Sequence, residues 1–551
     1  MRYYVSPSLS KFKSARMKSL SMKKKILAMA LFNCLAVGFS LATAQETSLP
    51  ELGSSAGELL TPEQEQQYGG YTLHQLRQYN YVLDDPLIDS WLQNMGHRLG
   101  SSSDNPKQPF TFFMMRDRQI NAFATLGGYI GMNAGLVLTA TTEDEVAGVI
   151  SHEISHVTQK HVLRSVERAK KDQIPIMLAA LGVIVAANAA GGSGDSADNA
   201  SMAAMISAQG LMIQRQIDYT RSNESEADRI GIQTLYRAGY NPEALADFFT
   251  RMESTGRGNS GGYTAPDYLK SHPVTTIRIS EAKDRAYKIK QNKKDLSLTT
   301  IQSNNLLLPE FAQPNNAISN IAYNRSDFLW AKERLRVLSA SSPAAALSEY
   351  RRGIDGFEKS LSDPQKYGMA LALTENHQGN AAEPLLNSLI SRYPNNLWIG
   401  IAQASAAQSL KNSGLAQMRY EQLLMKFPKN HAVILSYAEF LLEQNNKQMA
   451  LRAQEILREI SNNSAEDVIF QRNFARSFEL SGNTLRAAES FAEVAYLNGR
   501  VDDAINQLSA LIKNDDVDYY QRARVEARIA ELKPISLELE RQGIKPEQQG
   551  G

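Results

Sequence analysis

Apolar residues recur at helical spacing along most of this chain, and strand-like runs are few and short. Thr61-Pro62-Glu63-Gln64-Glu65 has the polar cap, early proline and first-turn acids of a helix start. A second helix is predicted from Pro86 to about Leu99, and Phe110 to Met115 reads as a buried strand. Asn121 to Leu138 sets Gly127, Gly128 and Gly131 around strand-like Tyr129-Ile130, the mark of a turn or a close backbone approach. Thr142 and Glu145 have capping-box spacing. They open a helix predicted to run through about Lys171, with Val146, Val149, Ile150, Ile154 and Val157 at helical spacing. Ser222 or Asn223 is predicted to cap another helix ending near Gly239, and Asn241-Pro242 to start the next. The four glycines of 255–264 predict a loop, and the Asn/Gln-rich stretch 290–320 a linker.

From about residue 325 the pattern becomes helix after helix. Tyr393-Pro394-Asn395 and Phe427-Pro428-Lys429 lie 34 residues apart, as do Ala370, Ala404 and Ala438, and Ala382 and Ala416. Such a period of helix–turn–helix is the tetratricopeptide signature, so 325–540 resembles an array of four or more divergent units. Upstream, the uncharged run 174–190 is too marginal for a membrane span. With Met202, Met205, Ile206, Leu211, Met212 and Ile213 it predicts a helical hairpin, 174–213, able to touch a membrane surface or a partner.

The first 44 residues change the compartment. Lys23, Lys24 and Lys25 precede an apolar run from Ile26 to Leu41, and Ala42-Thr43-Ala44 is a cleavage site of signal-peptide type. Residues 1–21 read as an upstream extension, with Met17 or Met22 as the initiator. Cleavage after Ala44 removes Cys34, the single cysteine. An exported bacterial protein in an oxidising compartment that does without disulfides suits this pattern. The formal net charge of the whole chain is +1, which gives no electrostatic basis for binding nucleic acid. One cysteine also excludes a disulfide scaffold and a CxxC metal site. The resulting organisation is 1–44 extension and signal, 45–290 a first folded domain, 291–324 linker, 325–540 repeats and 541–551 tail.

Candidate chemistry falls within the helix predicted after Thr142. His152-Glu153-Ile154-Ser155-His156 is HExxH, whose i, i+4 histidines share a helix face and can share one zinc ion. Glu153 turns toward the same edge and can act on water as general base. A third ligand is sought in Asn223-Glu224-Ser225-Glu226-Ala227-Asp228, where Glu224 and Asp228 share a face. Glu224 is favoured as ligand, and Asp228 as the carboxylate that holds a ligating histidine and joins Glu153 in the catalytic set. Glu226 points about 160° from Asp228 and makes a poorer partner. His161 and the remaining histidines have no partner at ligand spacing and read as surface or core residues.

HEISH, NESEADRIG, Ser271-His272-Pro273 and Arg278 together closely resemble the M48 zinc metallopeptidases. The resemblance implies an α+β, mainly helical zincin-type (gluzincin) domain with a small sheet, ahead of an all-α tetratricopeptide solenoid. It implies His152, His156 and Glu224 as ligands of one Zn2+ per subunit and Glu153 as catalytic acid/base. It also implies His272 on a loop over the site, able to take the fourth zinc position and shut the enzyme off. By resemblance and position, Tyr129, Ile130, Gly131, Met132 and Asn133 are expected to form a strand edge that pairs with extended substrate. The implied partners are unfolded or misassembled outer-membrane proteins and, through the repeats, the barrel-assembly machinery. An assembly chaperone or adaptor whose protease site is normally latched is the alternative. A repeat protein with a merely structural zinc is disfavoured by Glu153, since such a site needs no general base.

Overall fold

The computed structural model describes residues 59–189, 195–258, 267–291, 327–352, 361–513 and 517–541. The signal region, the linker and the tail, along with most of the glycine-rich loop, lie outside the described residues. Helix α1 (Pro62–Gln78) begins at Thr61, whose side chain accepts from the Gln64 amide while Gln64 reaches back to the Thr61 amide. Helix α2 (Pro86–Ser101) is capped by Asp85. Three strands follow: β1 (Thr111–Met115), β2 (Ala122–Ala124) and β3 (Tyr129–Asn133). Their order is β1-β3-β2, with β1 parallel and β2 antiparallel to β3. The β2–β3 turn needs its glycines. Gly127 and Gly128 sit at φ 70° and 86°, and a Cβ on Gly128 would lie 2.1 Å from the Pro109 carbonyl oxygen.

After α3 (Ala134–Thr139) comes α4 (Glu143–Thr158), packed among α2, β2 and the later helices Asp195–Arg237 and Ala244–Gly258. Thr142 caps it as expected, but Glu145 does not return to the cap. Its carboxylate accepts from the Thr141 amide at 2.7 Å and the Thr141 hydroxyl at 2.8 Å, and from Arg251. Nor does α4 reach Lys171. It breaks at Gln159-Lys160, where Lys160 takes φ 52°, and α5 (His161–Ala189) starts in a new direction.

The expected cap at Ser222 or Asn223 is also absent, because α6 runs unbroken from Asp195 to Arg237. With α5 it forms the long hairpin anticipated for 174–213. Val162 and Val166 on α5, and Met202, Met205, Ile206, Leu211, Ile213 and Ile217 on α6, are exposed. Among the described residues no helix is long and apolar enough to cross a membrane. Helix α6 ends before Gly239 (φ 83°), and α7 (Ala244–Gly258), α8 (Asp267–Ser271) and α9 (Thr276–Gln291) complete this half.

Beyond residue 326 the described residues are helical, in pairs. Helices begin at Asp363, Leu397 and His431, and their partners at Gly379, Ser413 and Lys447, keeping the 34-residue step. Ala370, Ala404, Ala438, Ala382 and Ala416 are all fully buried, as positions where paired helices touch must be. One apolar core continues from Leu83 through the sheet and α4 to Phe470. The first of these helices, α10 (Asp327–Leu338), packs on α2 and α3. Trp91 meets Phe328, and Arg334 grips Asp85 through both carboxylate oxygens at 2.8 and 2.6 Å.

Candidate metal centre

Close helix packing positions the site. Gly148 of α4 lies against Leu245, and Gly231 of α6 lies against the backbone of His152; a Cβ on either glycine would meet backbone atoms at 3.1 Å. This brings Glu224 and Asp228 of α6 over the face of α4 that carries His152 and His156. Burial follows: His152, Glu153, Glu224 and Asp228 are buried, while His156 is slightly exposed.

Donor atoms from three elements converge. His152 Nε2 is 3.0 Å from His156 Nε2 and 3.4 Å from Glu224 Oε2. Glu224 Oε1 is 3.4 Å from His156 Nε2 and 3.0 Å from His272 Nδ1, and His272 Nδ1 is 3.4 Å from His152 Nε2. A tetrahedral zinc with bonds of about 2.0–2.1 Å sets its donors roughly 3.3–3.4 Å apart. The four residues fit that geometry, with one atom from each within 4.8 Å of the others. The electrostatics also call for a cation. Burial works against charge on His152, yet hydrogen bonding and attraction from Asp228 and Glu224 push its imidazole up to about 10. Burial works against charge on Glu224 too, but His152 and His272 hold its carboxyl far below the usual range.

The flanking groups are as telling. His152 Nδ1 lies 2.9 Å from Asp228 Oδ1, and Arg278 donates to both oxygens of Asp228 at 2.8 Å. Asp228 therefore touches a histidine and not the reacting centre, so it is a positioning residue; its ion-pair partner is Arg278, 50 residues on. Arg278 also reaches Glu224 at 2.9 Å and the Pro273 carbonyl at 2.9 Å, tying α9 and the His272 segment to α6. Glu153 is buried beside the donors. Its Oε1 has no hydrogen-bond partner among the described residues and lies 3.7 Å from His272 Nε2. A buried carboxylate oxygen without a hydrogen bond, beside a metal-binding cluster, suits a general base. His272 follows α8, whose Tyr268 ring stacks on the His272 ring and whose Tyr268 amide donates to the Ile120 carbonyl.

Sequence reasoning misplaced one feature and missed another. Tyr129–Asn133 is the central strand, paired with β1 on one side and β2 on the other, so it has no free edge for a substrate. Among the described residues the free edge beside α4 belongs to β2. The Asn133 amide donates to the Asn121 carbonyl, and the Thr125 amide to the Tyr129 carbonyl. By ladder alternation, the backbone groups of Ala122 and Ala124 point outward. The residue missed is His161. Its Nδ1 is 2.9 Å from His156 Nδ1, and its Nε2 is 3.1 Å from Glu226, which also accepts from Arg164 at 2.9 Å. Glu226 does point away from Asp228, as its helical phase dictates, but it points at His161.

Comparison with known proteins agrees with this geometry. Residues 86–286 match the model of peptidase family M48. The chain is 33% identical, over 91% of its length and 95% of the relative's, to a putative beta-barrel assembly-enhancing protease of Vibrio cholerae. It is 29% identical, over 93% of its length and 97% of the relative's, to the beta-barrel assembly-enhancing protease of Escherichia coli K12. Over 35% of its length it is 26% identical to the metalloprotease LoiP of Escherichia coli, covering 69% of that protein. The chain belongs to peptidase family M48 and is a metalloendopeptidase with zinc as its cofactor.

Proposed function

We propose that this chain is a periplasmic zinc endopeptidase of outer-membrane protein assembly that rests in a latched state and degrades misassembled envelope proteins when opened. The observation that carries the reading is His272 standing among His152, His156 and Glu224 with its Nδ1 at donor distance. In the open enzyme the last three residues would hold the metal. Zinc, when bound, supplies a Lewis acid that polarises a peptide carbonyl and makes water acidic. Glu153 takes the proton from the attacking water and delivers it to the leaving nitrogen. Asp228 and Arg278 keep His152 and Glu224 from turning. The outward amides and carbonyls of Ala122 and Ala124 offer an extended client a strand to pair with, giving affinity without demanding one sequence.

The latch shuts both functions together, since the segment that inserts His272 also takes the Ile120 carbonyl at the start of that strand edge. Displacement of α8 and His272 is then the activating step. The helices after residue 326, with their 34-residue step, form a tetratricopeptide solenoid whose concave face holds the client or the barrel-assembly machinery. The names of the relatives similar over nine-tenths of this chain support outer-membrane assembly as the setting. The exposed apolar face of the α5–α6 hairpin suits contact with a membrane surface. A latched site is equally what an assembly chaperone needs, so the second role resides in the same molecule.

Metal analysis and proteolysis of an unfolded substrate test the reading with wild type, Glu153→Gln and His272→Ala. We expect about one zinc per chain in all three, no turnover by Glu153→Gln, and faster turnover by His272→Ala. Equal or slower turnover by His272→Ala overturns the latch. Retained assembly support by Glu153→Gln in cells separates the chaperone role from proteolysis.

A further inference from the structure

We propose that His161, anchored by Glu226 and Arg164, is a positioning residue that fixes the tautomer and ring orientation of His156. The proposal rests on the reading that His156 holds zinc.

The two histidines of the HExxH stand in different surroundings. His152 is in mid-helix, fully enclosed, with Asp228 directly behind its Nδ1. His156 lies two residues before the end of α4, and its side chain is 12% exposed. Helix ends fray, and a ligand there has less of the core to hold it. Among the described residues no carboxylate touches its Nδ1. Instead the helix breaks at Lys160, in the left-handed region, and His161 is set against it.

Proton accounting leaves one consistent arrangement. His156 Nε2 faces the donor cluster, so its proton sits on Nδ1. His161 Nδ1, 2.9 Å away, must then accept, which places the His161 proton on Nε2. That N–H faces Glu226 Oε2 at 3.1 Å, and the same oxygen receives Arg164. Each N–H finds an acceptor, and each acceptor a donor. Glu226 Oε2 faces both the His161 N–H and the Arg164 guanidinium, so it is the terminal acceptor of the line. The line His156–His161–Glu226–Arg164 does for one ligand what Asp228–Arg278 does for the other, with an imidazole interposed. Partners of this kind typically change metal affinity 10–100-fold when removed.

The test is zinc affinity of the full chain, by competition with a chromophoric chelator, together with the visible absorption of the cobalt(II)-substituted protein. We expect His161→Leu to weaken zinc binding at least tenfold and to alter the cobalt spectrum. His161→Gln, whose amide can accept from His156 and donate to Glu226, should recover most of both. Glu226→Ala should fall between them. Unchanged affinity and spectrum in His161→Leu overturn the proposal, and so does failure of His161→Gln to improve on it. If His161→Leu does not fold, Glu226→Ala and His161→Gln decide the question: wild-type affinity in Glu226→Ala, or a loss in His161→Gln as large as in His156→Ala, overturns it. His156→Ala separates the two levels. If it retains zinc affinity, the ligand assignment itself fails, whereas loss there without loss in His161→Leu rejects only the relay.

Discussion

Asp228 shows how much one side chain can carry at this site. It is fully buried, takes two hydrogen bonds from Arg278 and lies against His152. Asp228→Asn keeps the shape but loses the charge. Zinc should bind 10–100-fold more weakly, measured by chelator competition. Asp228→Ala should do more harm to folding than to binding, because it strands the Arg278 guanidinium in the interior. We expect a loss of about 3–5 kcal/mol in urea unfolding, softened by the contacts of Arg278 with Glu224 and the Phe249 ring. The sequence marked Asp228 because i, i+4 spacing puts it on the face of Glu224. It marked Arg278 only as part of a motif, since nothing local says that a cation 50 residues away returns to the same carboxylate. His161 was passed over for a similar reason. Five residues after His156 is wrong for a shared helix face, and only the break at Lys160 makes the pair possible.

Elements were legible where a local signal existed and not where tertiary packing decided. Thr61 and Thr142 cap the helices their positions predict, and the buried strand at Thr111–Met115 follows its run of large apolar residues. The order of strands did not follow. The three-residue β2 is too short to show alternation, so β3 carries the clearer pattern without forming the edge. The continuity of α6 through Ser222 and Asn223 was hidden because good capping residues also occur inside helices held by tertiary contacts. The glycines that let α4 and α6 approach are equally silent in the sequence. Gly231→Ala should force α6 away from the His152 backbone by a few tenths of an ångström. The expected cost is about 1–3 kcal/mol in stability. Zinc affinity should fall with it, because Glu224 and Asp228 ride on the same helix, and chelator competition on the folded variant would show it. At the α4–α5 break, Lys160→Gly should preserve activity and not lower the melting temperature, since glycine takes φ 52° without the side-chain clash. Lys160→Ile should lower it, because a β-branched residue resists that conformation.

At the scale of the whole molecule the 34-residue step was plain in the sequence, while the return of the last helices to the first was not. Helix α1 meets the helix Thr484–Leu497, with the His74 ring edge-on to Tyr496 at 4.9 Å. His74 had no motif around it, and a contact between residues 74 and 496 leaves no trace in either segment alone. Its environment makes a pH-dependent clamp. Burial, helped by the nearby Arg77, holds the His74 imidazole down to about 3, against about 6.5 in the unfolded chain. Above pH 6.5 neither state is protonated and His74 adds nothing to the pH dependence. Below it the unfolded chain takes up a proton that the folded one refuses. Stability should therefore fall by roughly 1 kcal/mol for each pH unit between about 6 and 3. Asp327 works in the other direction, because burial pushes its carboxyl up to about 6, so the folded state binds the extra proton there and gains stability as pH drops. The measurement must then be differential. Urea midpoints of wild type and His74→Phe, which keeps an aromatic ring against Tyr496, should lie close together at pH 7.5. At pH 5 the wild type should have lost more, by about 1–2 kcal/mol. Parallel losses in the two proteins would assign the acid sensitivity of the α1 contact to some other group.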